Sequence, residues 1–456
     1  MQRRQFIQSA FLSGMMLKAS GTVSAQNSPF GELRADPRKI LDLPKGFSYT
    51  IISEQHGLMD DGLLTPGQAD GMAAFQNKNG NINIVCNHEN HPANFHYSAF
   101  DKNNSLMNSV EKNLIYDAGE GITPGTGGTT TIEYDPVARK KIRQHMSLIG
   151  TEYNCAGGAT PWGSWLSCEE CFTDPGTSFE RKKVVKREKR HGYIFEVNAQ
   201  SNGPVKPEPI RAMGRFEHEA AAVDPISGAI YLTEDKHRSL LYRFLPNVKN
   251  KLQDGGILQA LSFSKKSSMD TRNWDKENVK VGEWYEVKWI NLDNIDPDKN
   301  DLRLRGYEQG AARFARGEGI CYADNSVFLT ATIGGFERMG QVFEYRINRE
   351  LSENSQGAAG HIKLLAESNS KSLLHHADNI IMSPWGDLII CEDTFNYCGL
   401  IGIKPNGSQY IFADNAYSDS ELCGICFSPD NNIMFVNVQN RGLTLAIHGP
   451  FSQFLV

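Results

Sequence analysis

Small and apolar positions along this chain gather into short runs rather than helical stripes, and one arrangement of them recurs. A polar residue opens a strand of small side chains, a turn follows, and a more apolar strand ends on polar residues. The copies are Asp70–Glu89, Cys155–Glu170, Glu219–Asp235, Glu318–Gly334, Asp378–Asp393 and Cys423–Val438. Cys155 to Glu169, Glu318 to Thr332, Asp378 to Glu392 and Cys423 to Asn437 are each 14 positions apart, Glu219 to Glu234 is 15 and Asp70 to Asn87 is 17. Turn residues such as Asn77-Lys78-Asn79-Gly80, Pro161-Trp162-Gly163 and Pro384-Trp385-Gly386 sit mid-copy, so each copy is predicted to be a β-hairpin. Further strand-like stretches lie between copies, among them Thr129–Tyr134, Gly192–Val197, Leu240–Leu245, Gln341–Arg346 and Leu400–Lys404. The interval between copies, about 70 residues, has room for the four strands of a propeller blade. The expectation is an all-β chain, a six-bladed β-propeller spanning residues 26–456 as one domain. A β-sandwich gives no reason for one hairpin to recur six times. Residues 92–126 and 246–313 lack the repeat and are expected to be loop or helical insertions, with a helix turn near Glu111–Tyr116.

Composition narrows the class. Of 456 residues, 40% are hydrophobic and 22% charged, with 42 Gly and 19 Pro, which excludes a disordered chain, a coiled coil and a collagen. The net charge of -6 speaks against nucleic acid as a partner. No run of about 18 apolar residues occurs, so stable membrane insertion is not expected. Residues 1–25 carry Arg3-Arg4, a modest apolar run from Ala10 to Leu17 and small residues at Val23-Ser24-Ala25, the pattern of a twin-arginine signal. That predicts a periplasmic or secreted protein whose transient partner is the twin-arginine translocase; the chain is separately expected to be a monomer. This route carries folded chains and suits nine cysteines, an odd number that does not read as a disulfide framework. The basic run Arg181–His191 is expected to be a solvated loop, or else a rim that steers anions inward.

The recurring polar residues carry the chemistry. A hairpin sets the start of its first strand beside the end of its second. Cys155 is therefore expected near Glu169 and Glu170, Glu219 near Glu234 and Asp235, and Asp378 near Glu392 and Asp393. The inner strands of a propeller converge on one axial channel. Carboxylates crowded there resist ionisation unless cations join them. Oxygen donors suit calcium, whereas the thiolate of Cys155 is a soft ligand pointing to a transition metal besides. Cys86, Cys168 and Cys391, inside second strands, read as core residues. Glu217, Arg316 and His376 each stand two positions before a repeat start, and the strand period predicts that Arg316 and Glu318 share a face. Arg316 then offers either a fork for a phosphoryl group or a salt bridge to a neighbouring carboxylate.

The phrase Asn154–Glu170 resembles the PhoX-type alkaline phosphatases, and Asn87-His88-Glu89, His191–Val197, Gly214–Asp224, Arg316-Gly317-Glu318-Gly319 and Glu392-Asp393 match the same family in the same order. The resemblance implies a twin-arginine-exported β-propeller that hydrolyses phosphate monoesters with a cluster of iron (Fe3+) and calcium (Ca2+). It implies that Cys155 is an iron ligand and that Glu217 or Glu219, with Glu318, helps hold the metals. Arg316 would bind phosphoryl oxygens, making Arg316, Glu318 and Cys155 the catalytic set. Glu169, Glu170, Glu234, Asp235, Glu392 and Asp393 would be further metal ligands. No nucleophile-elbow serine and no Walker-type loop is present, so direct attack by a water-derived oxygen is expected, without a covalent phosphoenzyme. The alternatives are a calcium-dependent lactonase or esterase propeller, which would not need Cys155, and a binding propeller without catalysis.

Overall fold

Each of the six recurring phrases folds as an antiparallel hairpin, and each hairpin is the inner half of one blade. The structure, a computed structural model, describes residues 28–349, 360–394, 397–416 and 420–454; the expected export leader lies outside these. Blade 1 is Ala69–Gln76, Ile82–His88, Gly128–Asp135 and Lys140–Ile149. Blade 2 is Asn154–Ala159, Ser164–Glu169 and Ile194–Asn198. Blade 3 runs His218–Val223, Ile230–Glu234, Tyr242–Pro246 and Gly256–Phe263, and blade 4 runs Gly317–Ala323, Ser326–Ala331, Gln341–Arg346 and Gly360–Glu367. Blade 5 is Ala377–Met382, Leu388–Glu392, Gly399–Ile403 and Gln409–Asn415. Blade 6 takes Leu422–Phe427, Ile433–Val438 and Leu443–His448 from the C-terminal end and its outer strand, Ser48–Glu54, from the N-terminal end. The six inner strands pack side by side in chain order, and the sixth packs against the first. The ring is therefore closed, with both ends of the chain in one blade.

The stretch 246–313 is less of an insertion than its sequence suggests. It supplies the outer strand of blade 3, the one α-helix among the described residues (Leu302–Glu308), and the strand Trp284–Asn291. That strand pairs with the outer strands of both blade 3 and blade 4, fusing them into one nine-stranded sheet. Residues 92–126 do lie outside the blades. They form short 3-10 turns, one of them at Lys112–Leu114, and bury Phe100 and Ile115 against Met146 and Ile149 of blade 1. The strands themselves follow ordinary β logic: alternate apolar residues fill the layers between blades, as Ile84, Ile132 and Tyr134 do against Phe435 and Ala446 of blade 6.

Every inner strand carries the same irregularity. The register to its partner shifts between Ala69 and Met72, Asn154 and Gly157, His218 and Ala221, Gly317 and Ile320, Ala377 and Ile380, and Cys423 and Cys426. In each case two inner-strand residues stand opposite one, which is a β-bulge, the device that re-aims a side chain next to a site. The first bulged residues are Asp70, Cys155, Glu219, Glu318, Asp378 and Gly424. The freed bulge carbonyls are taken up by the preceding blade. Asn437 donates to the Asp70 carbonyl (2.5 Å), Asn87 to that of Cys155 (3.2 Å), Thr233 to that of Glu318 (2.5 Å) and Thr330 to that of Asp378 (2.7 Å).

The sixth copy is out of step. Cys423 pairs with Asn437, so Gly424 takes the bulge position that acids or a thiol hold elsewhere. Its φ is +65°, and a Cβ there would sit 2.2 Å from the Asp70 carbonyl oxygen. Blade 6 thus gives up its side chain to let blade 1 present Asp70. Gly424→Ala is expected to destabilise the protein by more than the roughly 1–2 kcal/mol of the left-handed backbone alone, read as a lowered Tm; an unchanged Tm would show that the two blades do not meet this closely.

Candidate metal centre in the axial channel

Five of the six bulges aim an ionisable side chain into the channel, and all five are buried, at most 4% exposed. Cys155 Sγ donates to Glu219 Oε1 at 3.1 Å and lies 3.7 Å from Asp70 Oδ2. A second set comes from the residues that follow the second strands: Glu89, Glu170, Asp235, Thr332, Asp393 and Gln439. Their backbone N–H groups donate to the carbonyls of a third set at the mouth of the hairpins: Gln68, Tyr153, Glu217, Arg316, His376 and Glu421. Together the three sets bring one thiol and many acids into a continuous arc. Asp70, Glu89 and Cys155 offer ligand atoms within 4.8 Å of one another, as do Cys155, Glu170 and Glu219, then Glu219, Glu318 and Asp378, and finally Asp378, Asp393 and Glu421. Gln439 Nε2 closes the arc's first end, donating to Asp70 at 2.8 Å and Glu89 at 2.9 Å.

The arc fits metal ions by its donor chemistry. Burial pushes the Cys155 thiol well above its ordinary range, and the charges of Asp70, Glu219, Glu89 and Glu170 push it the same way. Cations held between the donors relieve such crowding of like charge. Carboxylate oxygens suit hard divalent ions, and the shared Cys155–Glu219 position offers one soft and several hard donors.

Of the expected metal ligands, the structure gathers Cys155, Glu170, Glu219, Glu318 and Asp393 into the arc. It leaves the others outside. Glu169 pairs across its hairpin with Asn154, not Cys155, and so turns into the blade. There it accepts from His191 (2.6 Å) and from the backbone of Gly192 (2.9 Å), Tyr193 (3.2 Å) and Glu152 (3.1 Å). Burial alone would lower His191, but Glu169, Glu152 and Asp117 around it lift it to about 10, so it is the cation of this network. Glu234 sits opposite His218, bonded to Tyr242 (2.8 Å) and Arg303 (3.4 Å), and Glu392 opposite Ala377, bonded to the backbone of His375 (2.7 Å) and Gly399 (3.1 Å). Burial raises Glu234 to about 7 and Glu392 to about 8. Asp235 grips Arg316 instead, at 2.5 and 2.8 Å, and Glu217 holds Lys236 at 2.5 Å. Burial, with Arg303 and Arg316 close by, pulls Lys236 down to about 8 against the opposing charge of Glu170.

Four arc members were not among the expected ligands. Asp70 and Asp378 occupy the same repeat position as Cys155, Glu219 and Glu318, and Glu89 occupies that of Glu170, so their signal lay in the repeat itself. Glu421 has no such signal, because the sixth copy is shifted. A further cluster, Glu152, Cys171 and His191, meets the same 4.8 Å spacing but is closed by its own ion pairs, with Arg187 donating to Glu152 at 2.7 and 3.0 Å. Cys86, Cys168 and Cys391 are buried core residues, as expected, and all nine cysteines are free thiols. The basic run is dispersed rather than a continuous rim. Arg187 binds Glu152 and Glu180, Lys186 binds Glu120, Arg190 binds Asp174 and Asp298, and Arg181 reaches the Tyr153 hydroxyl at 3.3 Å.

A family model described as alkaline phosphatase PhoX matches residues 28–123 and 122–442. The chain belongs to this family. Hydrolysis of phosphate esters is thereby its activity, and PhoX enzymes depend on metals, which accords with the arc. Among solved structures, Pseudomonas fluorescens PhoX in complex with vanadate, a transition state analogue, aligns with a TM-score of 0.67 at 18% identity, over 92% of this chain and 97% of that one. That likeness establishes the propeller fold. XC5397 from Xanthomonas campestris, described as a gluconolactonase, aligns with a TM-score of 0.42 at 11% identity, over 93% of this chain and 99% of that one. A search of curated proteins returned no match. Membership in the PhoX family decides against the lactonase and the non-catalytic propeller.

The paired acids Glu169 and Glu170 should separate cleanly. Glu169→Gln breaks a buried charged network and is expected to cost about 3–5 kcal/mol while metal content stays at the wild-type level. Glu170→Gln should lose metal while its metal-stripped form melts with the wild type. Metal analysis beside thermal unfolding checks both, and loss of metal in Glu169→Gln would return that residue to the ligand set.

Proposed function

We propose that the chain is an exported phosphatase acting on small phosphate monoesters, with iron and calcium held by Asp70, Glu89, Cys155, Glu170, Glu219, Glu318, Asp378, Asp393 and Glu421. The observation that carries this reading is the set of five bulges that turns acids and one thiol onto a single axis with Arg316 at its mouth. Cys155 and Glu219 are the residues suited to iron, and the all-carboxylate stretch from Glu318 to Glu421 is suited to calcium. Bound there, the ions would neutralise charge on the phosphoryl oxygens and supply a reactive oxygen near neutral pH.

The chain's own residues do the positioning. Asp235 takes Nε and Nη2 of Arg316 in a two-pronged pair, and Glu318 accepts a second bond from Nη2 at 2.7 Å. These contacts engage both edges that include Nη2 and fix the plane of the guanidinium at the channel mouth, where a phosphoryl group would be met from the Nη1 side. The reason differs from the strand period. Arg316 precedes its strand with a φ of +56°, and this left-handed turn, not alternation, folds its side chain back over Glu318. Lys236 and Arg303 add positive charge on the blade 3 side of the same mouth, and the packed inner strands keep water from reaching the arc through the walls. That the Pseudomonas fluorescens protein binds vanadate, a transition state analogue, supports reading this channel as a phosphoryl site. Export rests on Arg3-Arg4 and the small residues before Gln26; no helix among the described residues is long and apolar enough to cross a membrane.

Arg316→Lys tests the assignment. It keeps a charge beside Asp235 and Glu318 but loses the planar guanidinium and its Nη1 donors. Metals should stay bound while turnover of an aryl phosphate falls about 10²–10³-fold, the usual effect of one transition-state donor. Full metals with turnover within a few-fold of wild type would reduce Arg316 to a counter-charge for the acids.

A further inference from the structure

The six mouth residues repeat one backbone role, and four of them share a conformation that ordinary side chains avoid. Gln68, Tyr153, Arg316 and His376 have φ of 52°, 49°, 56° and 50°. Each immediately precedes the first paired residue of an inner strand, and each accepts the N–H of the residue ending the same hairpin: Glu89, Glu170, Thr332 and Asp393. None is glycine, and of the four only His376 belongs to the side-chain types enriched in this region. Strained backbone of this kind persists where the side chain is used. Gln68 is used within the protein, donating to Gln439, which in turn caps Asp70 and Glu89. Arg316 has the phosphoryl role argued above. The His376 ring meets the backbone of Thr332 and the Tyr153 ring lies edge-on to His91 at 5.5 Å, but neither residue has been given a role toward substrate.

We propose that Tyr153 and His376 bind the alcohol half of the phosphate ester, making the mouth set a substrate-recognition rim that favours hydroxylated alcohols. The inference rests on the phosphatase reading of the channel. Their surroundings fit this use. The Tyr153 hydroxyl accepts from Arg181 at 3.3 Å, which leaves its own proton as a donor, and Arg181 sits at the tip of the ribbon Gly176–Glu180 and Lys183–Arg187. The carbonyls of Tyr153 and His376 accept the N–H groups of the arc acids Glu170 and Asp393, which sets both residues at the border of the arc. His376 lies on blade 5, next to Arg316 on blade 4, and Tyr153 lies on blade 2. An ester whose phosphoryl group is gripped at Arg316 therefore has a hydrogen-bonding side chain beside it and another across the mouth. A phenol and an imidazole offer polar contacts to hydroxyl groups, which an apolar alcohol would leave unmatched.

The test uses the full metal-loaded protein with Tyr153→Phe, which keeps ring and backbone, His376→Asn, which tolerates the left-handed turn, and the two combined. With glycerol 2-phosphate, KM should rise about tenfold in the double variant, as expected for two lost hydrogen bonds, while KM for phenyl phosphate moves less than threefold. Inhibition by inorganic phosphate, which lacks the alcohol half, and the content of bound metal should match wild type. Equal KM for glycerol 2-phosphate, a parallel loss of phosphate inhibition, or loss of metal would overturn the rim and leave these residues a structural role. A wild-type protein without phosphatase activity would instead overturn the proposed function itself.

Discussion

The bulge at the head of each inner strand is the constraint on which the rest of this structure depends. A regular antiparallel hairpin would turn alternate side chains into the interblade layers and leave the axis lined by backbone. Two residues opposite one break that alternation at the same place in all six blades. Five of the re-aimed side chains are Asp70, Cys155, Glu219, Glu318 and Asp378. The irregularity creates unsatisfied carbonyls, and Asn437, Asn87, Thr233 and Thr330 of the preceding blades satisfy them. The ring closure and the ligand arc are thus one system: a blade displaced from its neighbour would lose the hydrogen bond that holds the next ligand.

The buried acids divide into two populations by what surrounds them. Glu169, Glu234 and Glu392 face into their own blades, where imidazole, phenol, guanidinium or backbone N–H groups meet them. They organise the hairpin ends. The arc acids face one another and a thiol, with Arg316 and Gln439 at its border. Only the second population gains from bound cations, which explains why a doublet such as Glu169-Glu170 holds one residue of each kind. The same division places Asp235 with the first group's function, because both its oxygens bind Arg316 and so set the plane of the guanidinium.

The fold was largely legible because its unit repeats. Turn residues at matched offsets and small residues after each polar start marked all six hairpins, and Cys155, Glu219, Glu318 and Arg316 could be read from their places in them. The small residues have a plain cause: at Gly71 a Cβ would sit 2.5 Å from Ala156 Cα of the next inner strand. What could not be read was register. A one-residue bulge has no compositional mark here, and it decides which member of each acidic doublet faces the axis. The sixth copy hid both its shift and Glu421, since Cys423 imitates the polar start that Gly424 actually replaces. The strand in Trp284–Asn291 was missed for another reason. It pairs with two outer edges at once, so it belongs to no repeat.

The central claim is that the bulge-presented arc holds the metals of a phosphatase. Anomalous X-ray scattering from crystals of the intact protein, collected above and below the iron edge, tests it most directly. The account predicts an iron signal within bonding distance of Cys155 Sγ and Glu219, with iron-edge-independent calcium peaks among Glu318, Asp378, Asp393 and Glu421. An active enzyme whose metal peaks lie away from these side chains, or at Glu169, Glu234 and Glu392 instead, would contradict it.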